Sequence, residues 1–174
     1  NVTIDCAGYR INYTQASTGY GIRANGYNNS KIQNCTIVQG RTNAASSYGI
    51  YLLNGNETKI ERNNVSTSGS TSSDARNYAV YLYNFKQGII YNNNLTTSGR
   101  RGYALVLDSG SNSTNISSNI VKPSAIHSLG VYSYKSSFNV LHENNVSTTG
   151  TLAYAVILSL ANSNNLTSNN ISTT

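Results

Sequence analysis

The segment Tyr78–Leu82 reads YAVYL, and Asn92–Leu95 follows it as NNNL. Both halves recur along the 174-residue chain. Each copy of the repeat begins with a Tyr or Leu that we call its leader, and the leaders are 25 to 30 residues apart: Tyr20, Tyr48, Tyr78, Tyr103, Leu129 and Tyr154. An apolar residue follows each leader at plus seventeen: Ile37, Val65, Leu95, Ile120, Val146 and Ile171. This regularity indicates a repeat architecture.

Every copy predicts three short strands. Apolar residues at leader plus two and plus four alternate with plus one, three and five, which is strand periodicity. A polar turn such as Asn54-Gly55 follows, then a strand with an apolar residue at plus twelve, then a strand with the Asn-apolar pair. Parallel crossovers are right-handed as a rule. We therefore expect an all-β, right-handed, single-stranded parallel β-helix, a solenoid of about seven turns forming one domain over residues 1–174.

The composition argues against a nucleic-acid-binding protein and against a membrane-spanning one. Charged residues make up 10% of the chain, and the net charge is +6. The basic residues are dispersed, with Arg100-Arg101 the only tight pair, whereas a nucleic-acid surface gathers them on one face. No stretch approaches the roughly 20 apolar residues of a membrane span. We expect no nucleic-acid partner and no membrane insertion.

Three segments carry a resemblance to a known group: Asn1–Ile11 (NVTIDCAGYRI), Gly19–Ile22 (GYGI) and Asn29–Ile37 (NSKIQNCTI), with the NNxS/T turns that follow. The chain resembles the parallel β-helix repeat proteins, in particular the NosD-like and pectin-lyase-like surface proteins. The resemblance implies the fold. It leaves the function open, because that superfamily holds polysaccharide lyases, hydrolases, adhesins and structural modules.

The two cysteines, Cys6 and Cys35, are 29 residues apart, which is one turn at this end of the chain. Stacked turns bring Cα atoms near the range that a disulfide spans. A Cys6–Cys35 disulfide would fit an oxidising compartment, and hence an extracellular or cell-surface location. Two small buried thiols are the alternative.

The chain has twelve Asn-x-Ser/Thr sequons. The repeat places Asn before its closing apolar residue, where stacked amides form a ladder. We expect an inward ladder of Asn64, Asn94, Asn119, Asn145 and Asn170. The four of them that open sequons, Asn64, Asn94, Asn145 and Asn170, could not carry a glycan if they point inward. Asn28, Asn56 and Asn112 lie in predicted exposed turns and are the glycosylation candidates.

Outward positions of the first strand are unusually aromatic. The candidate contact residues are Tyr51, Tyr81, Tyr83, Tyr132 and Tyr134. Such a strip could stack on sugars or pack against another subunit. The alternative is that stacked tyrosines only stiffen an exposed sheet.

The sequence gives little support for a catalytic site or a metal site. Glycoside hydrolysis needs two carboxyls within about 5–10 Å of each other. The six acids fall at different register positions: Asp5, Glu57, Glu61, Asp74, Asp108 and Glu143. Glu57 and Glu61 share one turn, but no second acidic pair supports them. His127 and His142 are the only histidines, and Met is absent, so few soft or imidazole ligands exist for copper. We expect no enzyme, no metal and no cofactor.

The sequence thus favours an extracellular structural module. Both ends read as open β-edges, which are templates for further pairing. We expect a self-assembling subunit of a filament or surface sheath, stacked end to end with copies of itself. A glycan-binding or adhesive module that uses the tyrosines is the alternative, and a degenerate polysaccharide lyase or hydrolase is a third.

Overall fold

The structure, a computed structural model, describes residues 1–14, 18–40, 46–69 and 76–174. These residues form twenty strands in three parallel sheets and no helix. Sheet A contains β1 (Thr3–Asp5), β4 (Lys31–Gln33), β7 (Lys59–Glu61), β10 (Ile89–Tyr91), β13 (Asn115–Ser117), β16 (Val140–His142) and β19 (Asn165–Thr167). Sheet B contains β2 (Arg10–Tyr13), β5 (Thr36–Gln39), β8 (Asn64–Thr67), β11 (Asn94–Thr97), β14 (Ile120–Pro123), β17 (Asn145–Thr148) and β20 (Asn170–Thr173). Sheet C contains β3 (Tyr20–Asn25), β6 (Tyr48–Leu53), β9 (Tyr78–Tyr83), β12 (Tyr103–Asp108), β15 (Leu129–Tyr134) and β18 (Tyr154–Ser159).

Each strand from β1 to β17 pairs with the strand three positions later in the chain, so each turn of the solenoid adds one strand to each sheet. Six complete turns, which run from β3 to β20, follow the strands β1 and β2. The predicted all-β parallel solenoid is confirmed, with a turn count slightly below the expected seven.

The core is a narrow column inside the coil, because one or two apolar side chains per strand point inward. In sheet A, Ile60, Ile90 and Ile116 stack in register, and all are at most 1% exposed. Sheet C supplies Ile50, Val80 and Leu105, each 0% exposed. Burying such a side chain fully stabilises the fold by roughly 1.5–3 kcal/mol. Stacked apolar columns therefore hold together a chain that is mostly polar.

The predicted alternation fails at leader plus one. Gly49, Ala79 and Ala104 occupy this position, and all are buried, although the prediction has them facing outward. A Cβ on Gly49 would lie 2.6 Å from the carbonyl oxygen of Ala79 on the next turn. Position plus one thus lies at a tight inward bend that admits only small residues, and the leader before it points outward.

The copy that begins at Tyr103 contains one extra residue. Gly110, with a φ of +92°, adds a third residue between β12 and the bridge of Lys86 to Asn112. The register downstream moves by one, so Val121 pairs with Leu95 and is 0% exposed. The prediction that Ile120 closes this copy is wrong: Ile120 faces outward and is 41% exposed.

A buried asparagine ladder runs along the corner between sheets A and B. The Oδ1 atom of Asn93 accepts hydrogen bonds from the backbone and side-chain nitrogens of Asn63, at 3.0 and 3.1 Å. Asn93 in turn donates to Asn119, and the pattern continues turn by turn. The ladder consists of Asn63, Asn93, Asn119, Asn144 and Asn169.

The predicted ladder is therefore wrong at four of its five positions. Asn119 is correctly placed, but Asn64, Asn94, Asn145 and Asn170 each follow a ladder residue and point out of sheet B. The cause lies at the corner, where a residue with positive φ precedes each ladder asparagine, as Arg62 does with a φ of 54°. That left-handed residue turns the next side chain inward, so the one after it faces solvent.

Cys6 and Cys35 are disulfide-bonded, with 4.8 Å between their Cα atoms. Cys35 occupies the place of a ladder residue, because its backbone nitrogen donates to Oδ1 of Asn63 at 3.0 Å. The disulfide thus continues the asparagine ladder into the first turn. In the described part of the chain, no helix is long and apolar enough to cross a membrane.

Candidate functional site

A continuous strip of tyrosines lies on the outer face of sheet C. Because the leader faces outward with positions plus three and plus five, leader tyrosines join those predicted from the repeat. We call this set the tyrosine strip: Tyr20, Tyr48, Tyr51, Tyr78, Tyr81, Tyr83, Tyr103, Tyr132 and Tyr134. In-register pairing of β3, β6, β9, β12 and β15 stacks these rings turn on turn.

The rings contact one another along the whole strip. Tyr51 and Tyr81 are stacked, with centroids 5.0 Å apart and planes at 3°. Tyr78 lies against Tyr81 at 5.3 Å, edge to face, and is stacked on Tyr103 at 5.1 Å. Aromatic pairs of this kind contribute about 0.5–1.5 kcal/mol each beyond the burial of their area. The rings are therefore held in fixed positions.

A shallow groove of about 640 Å³ opens over the middle of the strip. Val106, which is 3% exposed, lines the groove at the position between Tyr81 and Tyr132 in the sheet. Because valine is smaller than tyrosine, the groove is deeper at this position. Its rim includes residues from the segments that connect sheet B to sheet C: Arg76, Arg101, His127 and Leu152.

Asp108 is the polar centre of the groove. Its Oδ2 atom accepts a hydrogen bond from the hydroxyl of Tyr81 at 2.8 Å, and Oδ1 accepts one from Ser109 Oγ at 2.7 Å. An ionised carboxylate has about four lone-pair sites, so acceptor capacity remains for a ligand. Burial, followed by this hydrogen bond, raises the pKa of Tyr81 well above its usual range. Tyr81 therefore stays a neutral donor at physiological pH.

Cations flank the strip on two sides. The Arg23 guanidinium lies 5.3 Å from the centroid of Tyr20 and 5.8 Å from that of Tyr51. At the other end, Lys135 Nζ lies 5.1 Å from the centroid of Tyr134. All three distances fit cation–π contact, and these contacts fix the outer rings of the strip as well.

The whole solenoid matches one family. The family model for the right-handed beta helix region matches residues 2–172. The chain belongs to the right-handed β-helix family. No curated protein and no solved structure matches the chain significantly. The expected right-handed parallel β-helix is thereby confirmed, whereas family membership leaves function open.

The predicted contact residues of this β-helix do lie together on one face. Tyr51, Tyr81 and Tyr132 are half-buried, and Tyr83 is 38% exposed. Sequence reasoning missed the leaders, in particular Tyr48, Tyr78 and Tyr103, and the groove rim. The recurrence of Tyr at five of six leaders is a signal for the former. No repeat pattern marks Arg76, Arg101 or His127.

The glycosylation candidates lie in the turn between sheets C and A. Asn28 is exposed, whereas Asn56 and Asn112 are partly buried. Asn28 bridges to Asn56, and Asn112 Oδ1 accepts a hydrogen bond from the Ser137 backbone at 2.7 Å. Their modification stays a prediction.

Two described carboxylates outside the groove, Glu61 and Asp5, are engaged with neighbouring side chains or backbone. A hydrogen bond from Lys31, at 2.9 Å, lowers the pKa of Glu61, and Arg62 Nη2 lies 2.8 Å from it. The backbone of Ala7 and the side chain of Asn34 lower the pKa of Asp5. Asp74 lies outside the described residues. Among the described residues, no group of three or more His, Cys, Asp or Glu could hold a metal.

Proposed function

We propose that this right-handed β-helix is an extracellular module that binds carbohydrate along its tyrosine strip. The observation that carries the proposal is the groove over Tyr81 and Tyr132, in which fixed aromatic rings surround a carboxylate with free acceptor capacity. Sugars present apolar C–H faces that pack on aromatic rings, and hydroxyl edges that hydrogen-bond to groups such as Asp108 and tyrosine hydroxyls. The groove offers both kinds of contact side by side.

The extracellular part of the proposal is supported by two features. The Cys6–Cys35 disulfide is typical of an oxidising compartment. The twelve sequons fit a chain exposed to a glycosylation machinery.

The proposal assigns binding and no reaction to the domain. Asp108 is the one carboxylate among the described residues that line the groove. Glycoside hydrolysis uses a second carboxyl within about 5–10 Å as acid or nucleophile. Asp5 and Glu61 lie in sheet A, and with their lowered pKa values they are ionised at neutral pH, so neither donates a proton there.

A glycan array probed with the folded chain tests the proposal. We expect binding to a restricted set of glycans, and a fall of tenfold or more in affinity for Tyr132→Ala. Tyr9→Ala is the matched control, because Tyr9 is 79% exposed and lies outside the strip. Circular dichroism checks that both variants fold. An array on which the wild-type chain binds nothing, or on which both variants bind equally well, contradicts the proposal.

We also propose self-association, because the face formed by β18–β20 is apolar. Leu158, Leu166 and Ile171 are 40%, 37% and 44% exposed, whereas the residues that pair with them one turn earlier, Ser133, Leu141 and Val146, are at most 2% exposed. A second copy stacked on this face would cover them and form a filament or surface sheath.

Sedimentation velocity over a range of concentrations tests self-association. We expect the wild-type chain to form larger species as its concentration rises, and Leu166→Lys to remain a monomer. A wild-type chain that sediments as a monomer at every concentration would contradict the filament proposal and leave carbohydrate binding untouched.

A further inference from the structure

The outer face of sheet B carries a column of asparagines in register. Asn64 pairs with Asn94, and Asn145 pairs with Asn170, while Ile120 occupies the rung between the two pairs. Asn64, Asn145 and Asn170 are exposed, and Asn94 is half-buried. The apolar residue that follows each of them in the chain points inward. We call these four residues the outer asparagine column.

Each member of the outer asparagine column opens a sequon. The four read Asn64-Val-Ser66, Asn94-Leu-Thr96, Asn145-Val-Ser147 and Asn170-Ile-Ser172. Because the strand alternates, the Ser or Thr lies on the same outer face as its Asn. The buried ladder residue before each one, such as Asn93, is part of no sequon. Structural and modifiable asparagines are thus adjacent in sequence but on opposite faces.

The fold places little demand on the outer asparagine column. Among the described residues, the one side-chain hydrogen bond within it runs from Asn94 Nδ2 to Asn64 Oδ1 at 3.3 Å. The ladder residues make many more hydrogen bonds. The single atom Asn93 Nδ2 donates to the carbonyl oxygens of Ile60 and Tyr91 and to Oδ1 of Asn119. Replacing an outer amide proton by a sugar would break no buried interaction.

We propose that the outer asparagine column is a site of N-glycosylation. The donor is a lipid-linked oligosaccharide, a glycosyl polyprenyl phosphate or diphosphate. The Asn Nδ2 atom forms a bond to the anomeric carbon, the bond from that carbon to the phosphate oxygen breaks, the lipid phosphate leaves, and one amide proton is released. The reaction needs no oxidant or reductant.

The rung spacing limits how many sites are filled. Neighbouring strands lie about 4.8 Å apart, and a substituted pyranose is wider than one rung. Two glycans on adjacent rungs would therefore collide, whereas the Ile120 rung separates the two pairs. We expect one glycan on Asn64 or Asn94 and one on Asn145 or Asn170, with the exposed Asn64 preferred over Asn94.

Glycopeptide mapping by mass spectrometry of the full chain, secreted from a host that performs N-glycosylation, tests the proposal. We expect a glycan on one residue of each pair. Asn64→Gln and Ser66→Ala should each remove the Asn64 glycan, and Ser66→Ala keeps the asparagine itself. Asn28, Asn56 and Asn112 are mapped in the same experiment. An unmodified column, with glycans only in those turns or nowhere, would overturn the proposal, and a pair with both residues filled would overturn the one-per-pair rule.

Discussion

At the scale of single residues, two adjacent asparagines in each turn have opposite roles. Asn93 is 2% exposed and has hydrogen-bond partners on the turns before and after it, whereas Asn94 points outward. A buried polar group left without its partner costs about 1–3 kcal/mol. The direction in which each side-chain amide points therefore decides how much it contributes to the stability of the fold.

Asn93→Ala should destabilise the chain by about 2–4 kcal/mol, because it leaves the Asn63 backbone N–H and the Ile60 carbonyl without their partner. Asn94→Ala is the matched control, and it should change the free energy of unfolding by no more than about 0.5 kcal/mol. Denaturant unfolding of chains without glycans measures both. Equal losses for the two variants would contradict the ladder assignment.

The sequence could predict an asparagine ladder but not which residue forms it. The repeat shows two adjacent asparagines, as at Asn63-Asn64, and the spacing of either is regular. Which of the two asparagines points inward depends on the left-handed conformation of Arg62 and of its equivalents in the other turns. Their residue types do not predict a positive φ. The prediction is right at Asn119 because the Gly110 insertion shifts that copy by one position.

At the scale of the element, the first strand of each turn has a bend at leader plus one. The periodicity of the strand predicts the inward residues Val80 and Leu82 correctly. It misplaces Ala79, because simple alternation cannot contain two successive inward residues. The same bend brings the leader Tyr78 into the tyrosine strip, which explains why the sequence predicts only part of the candidate site.

Gly49→Ala should destabilise the chain by about 1–3 kcal/mol, since its Cβ would be forced against Val65 and the Ala79 carbonyl oxygen. Gly19→Ala is the control, because the nearest atom to its Cβ, Thr14 Oγ1, lies at 3.4 Å. Thermal unfolding compares the two. If Gly49→Ala is as stable as the wild-type chain, the tight bend does not exist.

The tyrosine strip should resist alkaline titration. Burial raises the pKa values of Tyr48, Tyr51, Tyr78, Tyr81 and Tyr132 above the ordinary value of about 10. A raised pKa in the folded state gives stability that is complete below pH 10 and is lost as pH rises through the folded-state pKa.

Tyrosinate absorbance should therefore rise at a higher pH in the native chain than in the unfolded chain, and the free energy of unfolding should fall above pH 10. Tyr81→Phe should reduce that fall, because it removes one of the shifted groups. Titration of all 14 tyrosines at the pH of the unfolded chain would contradict the packing of the strip.

At the scale of the whole molecule, the solenoid is a one-dimensional stack in which each turn contacts its neighbours. The number of strands per turn and their parallel stacking follow from the spacing of apolar residues, so sequence reasoning predicts the architecture well. It does not predict the groove, because the rim residues Arg76, Arg101 and His127 come from connecting segments whose paths the repeat does not determine.

The Cys6–Cys35 disulfide should stabilise mainly the first turn. In a stack of turns, stability is a sum of local terms, and closing a loop of this size contributes about 2–4 kcal/mol. Cys6→Ala combined with Cys35→Ala should speed hydrogen exchange in β1 and β2 and leave β8–β17 unchanged. Uniformly faster exchange in all three sheets would show that the molecule unfolds as a single unit instead.

The most direct test of carbohydrate binding is an NMR titration of the chain, labelled at its tyrosine rings, with an oligosaccharide selected on the array. We predict shifts of the ring signals of Tyr48, Tyr78, Tyr81 and Tyr132, with those of Tyr9 and Tyr27 unchanged. Shifts confined to Tyr9 or Tyr27, or no shift at saturating oligosaccharide, would contradict binding at the tyrosine strip.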